Sequence, residues 1–356
     1  MAMENQDQTS PIQYKHPIAF NPERYICYRT EETIQIDGQN QEKIWDQAPW
    51  TKSFVDIEGD LKPKPELETK VKMLWDDTYF YIYAQMEEPH VWATLMQRDT
   101  VIFYDDDFEI FIDPDGDSHG YYEFEANPFN TLWELLILRP YRVAKDPKVV
   151  NEWNIRGIKT ATHIEGTINN PSDEDNYWSI EWAIPWSALG ELAPGQRPPK
   201  NKEQWRVNFS RVDWPMEIQG NKYQKAKDPD SGKNLHENNW VWSATGRINM
   251  HMPEMWGYVQ FSDIIAGTGE TQFKYDPDEE IKWALWQLYF QQIEYHNKNG
   301  EFTDDLRLFS IPKISSPECS FEPKIYITPN LFEIINESCT ENGNWSIRQD
   351  GKIILK

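Results

Sequence analysis

Short runs of β-branched and aromatic residues recur between residues 69 and 212, and they constrain the fold more than any other feature of the sequence. Asp, Gly, Pro and Asn separate the runs, as is typical of strands joined by turns. The runs are TKVKMLW, TYFYIYAQM, DFEIFID, GYYEFEAN, NTLWELLIL, YWSIEWAI and QWRVNFSRV. Because strands and turns alternate without long helical patterns between them, the sequence predicts a mainly β protein built on an immunoglobulin-like or jelly-roll antiparallel β-sandwich.

The patterns divide the chain into three parts. Residues 1–24 are polar and contain proline, so we expect a loose leader. Residues 25–263 carry the strand pattern and form the predicted sandwich, with Asp76 and Asp77 at the turn of one hairpin. Within this part, residues 213–240 are charged and poor in strand signals, and the sequence predicts an extended loop there.

The last part, residues 264–356, is predicted to form a small α+β domain. We expect a helix that is capped by Asp276, has Pro277 at its first position and Glu279 in a capping box, and ends at Gly300. Its apolar stripe comprises Ile281, Ala284, Leu285, Leu288, Tyr289 and Ile293. The short runs KIYITP, FEIINES, WSIRQ and GKIILK follow, and we expect them to form a small sheet on the helix.

The charge balance limits the partners that the chain can bind. With 35 Lys and Arg against 59 Asp and Glu, the net charge is -24. Such a chain repels phosphate backbones and anionic lipid surfaces, so the sequence predicts no nucleic-acid partner. No run approaches the roughly 20 apolar residues that a membrane-spanning helix requires, and no membrane span is expected. The charge balance does not exclude neutral ligands or cations as partners.

The three cysteines are too few for a disulfide scaffold or a metal cluster. Cys319 and Cys339 lie in the same segment and are candidates for a pair, whereas we expect Cys27 to be a small buried side chain. The first residues, MAMENQDQTSPIQ, show neither the basic start nor the apolar run of a signal peptide. The sequence is therefore either an intracellular protein or a trimmed mature form.

Residues 105–128, DDDFEIFIDPDGDSHGYYEFEANP, predict an acidic hairpin whose side chains alternate between two faces. The apolar face is formed by Phe108, Ile110, Ile112, Tyr122, Phe124 and Ala126. On the other face, Glu109 lies opposite or diagonal to Glu123 and Glu125, with Cβ atoms within about 4.5–8 Å. Aromatic residues flank these acids, and rings beside carboxylates are suited to binding a sugar, because charged acceptors take strong hydrogen bonds from hydroxyls.

The turn DPDGDSHG in this hairpin is a candidate calcium site. Asp113, Asp115 and Asp117 alternate along it, and Gly116 allows a tight bend. Carboxylate oxygens suit calcium, which takes six to eight oxygen ligands, although the pattern is not an EF-hand loop. A plain Asp, Gly and Pro turn is the alternative interpretation.

An ordered set of motifs resembles the family 9 carbohydrate-binding modules. The motifs are VKMLWDDTYFYIYAQMEEP, YDDDFEIFIDPDGDSHGYYEFEANP, YWSIEWAIPWSAL, WRVNFSR, NWVWSATG and PEMWGYVQF, within about residues 30–262. The resemblance implies a β-sandwich that binds glucose- or xylose-type sugars, often at chain ends, between two aromatic side chains. It also implies structural calcium, an association with exported glycan-degrading enzymes, and an extracellular or cell-envelope location.

The resemblance also suggests site residues. It places Phe103 where the family has its first stacking tryptophan, Glu109 at the hydroxyl-binding glutamate, and Asn127 at a polar position. Glu125 stands where the family has an arginine, and Met250 where it has a second stacking tryptophan. Trp214 and Trp92 are the candidates to replace the second stacking tryptophan. Tyr104 adjoins Phe103, at the first stacking position.

The sequence thus predicts non-catalytic carbohydrate binding in support of polysaccharide breakdown. A glycoside hydrolase is one alternative, because Glu109 and Glu125 are expected about 5 Å apart, the separation in retaining glycosidases. An envelope adaptor whose C-terminal domain docks a protein partner is another. Haem binding through the methionines of NMHMPEM is not favoured, since Met more often fills gaps in a core. We expect no haem and no nucleotide.

Overall fold

The computed structural model describes residues 12–143, 148–151 and 153–356, and these form two compact units. The larger unit is Phe20–Lys274, and the smaller one joins the described part of Met1–Ala19 to Tyr275–Lys356. The structure confirms a mainly β protein with a small α+β unit. It differs from the predicted division at both boundaries, because residues 20–24 and 264–274 belong to the larger unit. Residues 12–19 belong to the smaller unit, because Ile12 pairs with Phe309 there.

The described residues of the larger unit contain fifteen strands and two short helices. The strands are β1 (Arg24–Arg29), β2 (Val55–Asp56), β3 (Thr69–Trp75), β4 (Tyr79–Glu87), β5 (Asp107–Asp113), β6 (Tyr121–Ala126), β7 (Leu132–Ile137), β8 (Val149–Val150), β9 (Lys159–Glu165), β10 (Tyr177–Pro185), β11 (Gln204–Asp213), β12 (Met216–Gln219), β13 (Lys222–Lys225), β14 (Asn238–Val241) and β15 (Gly257–Ile265). The helices are α1 (Lys43–Gln47) and α2 (Trp186–Leu189). No described helix has the length and apolar character needed to cross a membrane.

One hydrogen-bonded path links the main strands in the order β8-β7-β6-β5-β11-β15-β1-β3-β4-β10-β9, with β14 on β11 and β2 on β14. Neighbouring strands along the path are antiparallel except at β1, which pairs in parallel with both β15 and β3. The path folds into two layers, which confirms the sandwich. Local turn signals could not reveal the parallel pairs, because β1 and β15 lie at opposite ends of the domain's sequence.

Aromatic side chains fill the space between the layers. Trp178 and Trp182 on β10 and Trp205 on β11 are almost fully buried in this core. The apolar face predicted for the acidic hairpin, from Phe108 to Ala126, also packs here. Burying one large apolar side chain stabilises a fold by roughly 1.5–3 kcal/mol, so these buried aromatic residues stabilise the sandwich. The opposite face of β5 and β6 is left for other contacts.

The segment predicted as an extended loop, 213–240, instead contains β12, β13 and β14. β12 and β13 form a hairpin whose turn is Gly220–Asn221, with Gly220 at φ 67°. A Gly-Asn pair between two short runs is a hairpin signal, and charged strand residues masked it in the sequence. The predicted hairpin at Asp76 is confirmed, because β3 and β4 pair antiparallel there.

The smaller unit contains helix α3 (Asp278–Asn299) and a four-stranded antiparallel sheet. Its strands are β16 (Lys324–Ile327), β17 (Phe332–Glu337), β18 (Asn344–Arg348) and β19 (Ile353–Leu355). The helix ends at Gly300, as predicted, in the left-handed conformation. The predicted capping box does not form, since Glu279 pairs with Lys282 at 2.6 Å. Cys319 and Cys339 form a disulfide and Cys27 is buried, which confirms both expectations.

Candidate functional site

The outward face of β11, β5, β6 and β7 carries two rows of aligned side chains. The strand register puts Glu109 directly opposite Glu125, so the predicted pairing is confirmed. One row is Ser210, Glu109, Glu125 and Trp133, and the next is Asn208, Phe111, Glu123 and Leu135. Directly opposed residues in antiparallel strands point to the same side. The acids and rings of these strands therefore share one surface.

A pocket of about 490 Å³ opens over these rows. The strands contribute three acids to it, Glu109, Glu123 and Glu125, and loops contribute a fourth, Glu237. Its other lining residues are mostly aromatic, apolar or amide side chains: Ile57, Phe103, Phe111, Trp133, Leu135, Tyr141, Val212, Asn239, Ile248, Asn249, Met250 and His251. A pocket of this size with few convergent polar groups is typical of a small-molecule site.

The strand acids in the pocket are almost fully buried. Glu109 is 6% exposed and Glu125 is 2% exposed. Burial raises the pKa of Glu109 to about 7. Burial, followed by the charge of Glu109, holds the pKa of Glu123 and of Glu125 well above the usual value. At least part of this group is therefore neutral near pH 7, and a neutral carboxyl can both donate and accept hydrogen bonds.

The loop side of the pocket is aromatic and carries no compensating positive charge among the described lining residues. The half-exposed ring of Tyr141 lies 4.3 Å from the ring of His251, centroid to centroid. Burial lowers the pKa of His251 to about 3, so its ring is neutral. Arg142 is adjacent, but both of its terminal nitrogens bind Glu254, at 2.8 and 2.9 Å.

Four of the predicted binding residues line this pocket: Phe103, Glu109, Glu125 and Met250. The backbone N–H of Phe103 donates to Glu125 Oε2 at 3.2 Å, which fixes the short turn that carries the ring. Met250 is held by its backbone carbonyl, which accepts a hydrogen bond from Trp256 Nε1 at 2.7 Å. Its thioether side is apolar, so it offers a pocket wall without ring stacking.

The other predicted residues do not line the pocket. Asn127 is fully buried, and its side-chain amide binds the surrounding loops. It donates to Leu95 and Asp105 and accepts from two backbone N–H groups. These hydrogen bonds position the loop, and ligand binding by Asn127 stays a prediction. The Trp214 indole donates to the Phe103 carbonyl at 2.9 Å, and Trp92 is buried. Tyr104 is exposed beside Phe103.

The predicted calcium turn is closed by its own backbone. Asp113 accepts the N–H groups of Gly116 and Ser118 at 3.0 and 2.9 Å, and Asp117 accepts that of His119 at 2.8 Å. Among the described residues, carboxylates converge in two other places, and neither includes these aspartates. The turn as it stands fits the plain-turn interpretation better than a calcium site. Calcium binding here stays a prediction.

Two aromatic residues of the site were not identified from the sequence. Trp133 directly opposes Glu125, and Tyr141 forms part of the loop wall. Strand β7 carries apolar residues on both faces, and its one acid, Glu134, lies on the face opposite to Trp133, so alternation did not mark Trp133 as a site residue. Tyr141 follows the strand in a short helical turn, Tyr141–Val143, where no motif marks a role. Only the strand register could have revealed Trp133.

The family comparison agrees with the fold of the larger unit. The sequence matches the family described as "Carbohydrate family 9 binding domain-like" over residues 36–263, more than half of the chain. The chain therefore belongs to this family, which confirms the resemblance. No curated protein sequence matches the chain.

Solved structures are similar to the chain at low sequence identity. A protein from Bacteroides uniformis ATCC 8492, whose description proposes carbohydrate binding, is 16% identical with a TM-score of 0.50, covering 68% of this chain and 100% of its own. A family 9 module from Caldicellulosiruptor kristjanssonii with cellotriose is 15% identical with a TM-score of 0.41, covering 70% and 99%. The glucose complex, also from Caldicellulosiruptor kristjanssonii, is 15% identical with a TM-score of 0.41, covering 69% and 100%.

Proposed function

We propose that this protein is a non-catalytic carbohydrate-binding protein that holds glucose- or xylose-type glycan ends. One observation carries the proposal: in a member of a carbohydrate-binding family, a single pocket combines the carboxyls of Glu109, Glu123 and Glu125 with exposed ring faces. Sugars have apolar C–H faces that pack on rings and hydroxyl edges that need hydrogen bonds. Both kinds of partner are present on this surface.

Each side of the pocket has a role in this proposal. Phe103, Trp133 and Tyr141 offer ring surface for the sugar face. The carboxyls between them hydrogen-bond hydroxyls, as donors when neutral and as acceptors in either state. Met250 takes the place of a second stacking ring, so we expect modest affinity.

The decisive experiment is calorimetric titration of the full chain with a panel of mono- and oligosaccharides. We expect Glu109→Ala to weaken sugar binding by at least about 1.5 kcal/mol, the scale of one hydrogen bond to a charged group. That corresponds to roughly tenfold in Kd. Glu217→Ala, which removes the same charge from the exposed strand β12, is the matched control and should bind normally. Absence of binding to every sugar in the panel would contradict the proposal.

We also propose an extracellular or cell-envelope location, in support of polysaccharide breakdown. The Cys319–Cys339 disulfide supports this, because disulfides persist mainly in oxidising compartments. Cell fractionation of the native producer with an antibody against the chain tests the location. Recovery only from the cytoplasm would contradict it.

A glycoside hydrolase is the second candidate, because carboxylate oxygens of Glu109 and Glu125 lie within 4.8 Å of each other. Retaining glycosidases, however, need one ionised nucleophile beside one protonated acid. Burial raises the pKa of both carboxyls here, which disfavours the nucleophile. Release of sugar from a glycan panel, lost in Glu109→Gln, would favour the hydrolase.

A further inference from the structure

Two clusters of three buried carboxylates lie in the described part of the larger unit. One contains Glu88, Asp106 and Asp213, and the other contains Asp107, Glu109 and Glu125. In each cluster, one oxygen from every residue lies within 4.8 Å of the others. Like charges held this close in a buried place are unfavourable unless a positive charge or protons compensate them.

The first cluster has its own cation. Arg211 is buried among these acids and places Nη2 2.7 Å from Glu88 and 2.9 Å from Asp213. The backbone N–H of Trp214 donates to Asp106 at 2.7 Å. The arginine and this donor account for the convergence of the three acids. The cluster therefore needs no external ligand.

The second cluster differs, because the charges that act on it are acidic. Glu125 and Asp106 act on Asp107, and Glu237 acts on Glu109. Asp107 is fully buried, and neither of its carboxylate oxygens accepts a well-formed hydrogen bond among the described residues, although the backbone N–H of Val212 partly stabilises its charge. Such a group costs free energy unless a proton, a cation or another ligand binds it.

A carboxyl group of the pocket also has a buried oxygen without a hydrogen-bond partner among the described residues. Glu123 lies diagonal to Glu109 on the pocket face and is 5% exposed. Its Oε2 is buried and has no hydrogen-bond partner among the described residues. This residue is not part of the cluster of three, so it is an independent sign that the pocket floor is built to hold a bound group.

We propose that Asp107, Glu109 and Glu125 bind one calcium ion, and that the ion holds sugar hydroxyls in the pocket. Calcium prefers oxygen ligands at about 2.3–2.6 Å, so oxygens on opposite sides of one ion are roughly 5 Å apart. The observed limit of 4.8 Å is compatible with that spacing. The role toward sugar rests on the proposed function, whereas the ion site does not.

The position of the cluster explains how an ion would serve the pocket. Glu109 and Glu125 line the pocket, whereas Asp107 is enclosed. An ion between them is held from the buried side and keeps its other side toward the pocket. Calcium takes six to eight ligands, so positions remain for two hydroxyls of a sugar ring. Hydroxyl pairs held in this way would set the orientation of the ring.

The first test uses calcium alone on the full chain after treatment with a chelator. Calorimetry should show one ion per chain, and Glu125→Gln and Asp107→Asn should each lower its affinity at least tenfold. Glu217→Gln should stay within twofold of the parent. Absence of calcium binding overturns the site. An ion that is lost in Asp113→Asn but kept in Glu125→Gln also overturns it, because that ion lies at the turn.

The second test repeats the sugar titration with calcium and with excess chelator. We expect chelation to weaken sugar binding at least tenfold, and added calcium to restore it. Sugar binding that survives chelation overturns the bridging role while the proposed function stands. Calcium binding without any sugar binding leaves the ion site supported and contradicts the proposed function instead. Circular dichroism of each variant shows that the changes are not caused by unfolding.

Discussion

Trp133 is in register with the acids of the pocket, since it directly opposes Glu125. We expect Trp133→Ala to weaken sugar binding by about 0.5–1.5 kcal/mol, the scale of a specific ring contact. Trp133→Phe should recover part of this loss, because it restores a smaller ring. Trp50→Ala, which removes a partly exposed tryptophan away from the pocket, is the control. Equal effects of Trp133→Ala and Trp50→Ala would argue against a stacking role.

Single residues of the site were predictable only where one strand face is polar. Glu109 and Glu125 were found because acids alternate with apolar residues along β5 and β6. Asn127 fits the same alternation, yet the loop uses all of its hydrogen bonds. Whether a polar side chain faces a ligand or its own loop depends on tertiary contacts, which alternation does not encode.

At the scale of elements, the first turn of α3 is tied to the segment that follows β17. The carboxylate of Asp278 accepts hydrogen bonds from Ser338 Oγ at 2.6 Å, Thr340 Oγ1 at 2.6 Å and the Cys339 N–H at 2.8 Å. Burial by itself raises the pKa of Asp278. The hydrogen-bond donors together lower it by more than burial raises it, so the net pKa is below the usual value. The ionised form therefore stabilises the folded unit.

This arrangement predicts a pH dependence. Because the folded pKa of Asp278 is lowered, its contribution is present above the unfolded value of about 3.9 and is lost as the pH falls through the folded pKa. Asp278→Asn should lower the free energy of unfolding by about 1.5–3 kcal/mol at pH 7. Urea unfolding at pH 7 and pH 3 measures both effects. The exposed Asp304→Asn is the control, and an equal loss there would refute the role.

Elements were predictable where local chemistry decides them. The end of α3 at Gly300 follows from the left-handed backbone that glycine adopts easily. The hairpin β12–β13 was missed, although its Gly-Asn turn was visible, because both strands are only four residues long and mix charged or amide side chains with apolar ones. Such short charged strands are defined by their pairing partner more than by their own composition.

At the scale of the whole molecule, the sandwich followed from the spacing of strands and turns, but its closure did not. The parallel pairing of β1 with β15 joins residues more than 200 positions apart, and no turn signal reports on it. The sequence also did not reveal that the N-terminal residues belong to the smaller unit. Residues 12–19 have no strand pattern and join the smaller unit through contacts such as the stacking of Tyr14 on Phe290.

The two units should unfold as separate transitions. The disulfide allows the transition of the smaller unit to be identified, because it lies in that unit alone. Cys319–Cys339 closes a loop of about 20 residues within the smaller unit, and the only other cysteine, Cys27, is buried and unpaired. By the loop-entropy estimate, such a disulfide stabilises its unit by about 3 kcal/mol. Reduction, or Cys319→Ser with Cys339→Ser, should therefore lower one melting transition and leave the other unchanged. Differential scanning calorimetry measures both. Sugar binding, which we propose for the larger unit, should survive reduction, and its loss would contradict that placement.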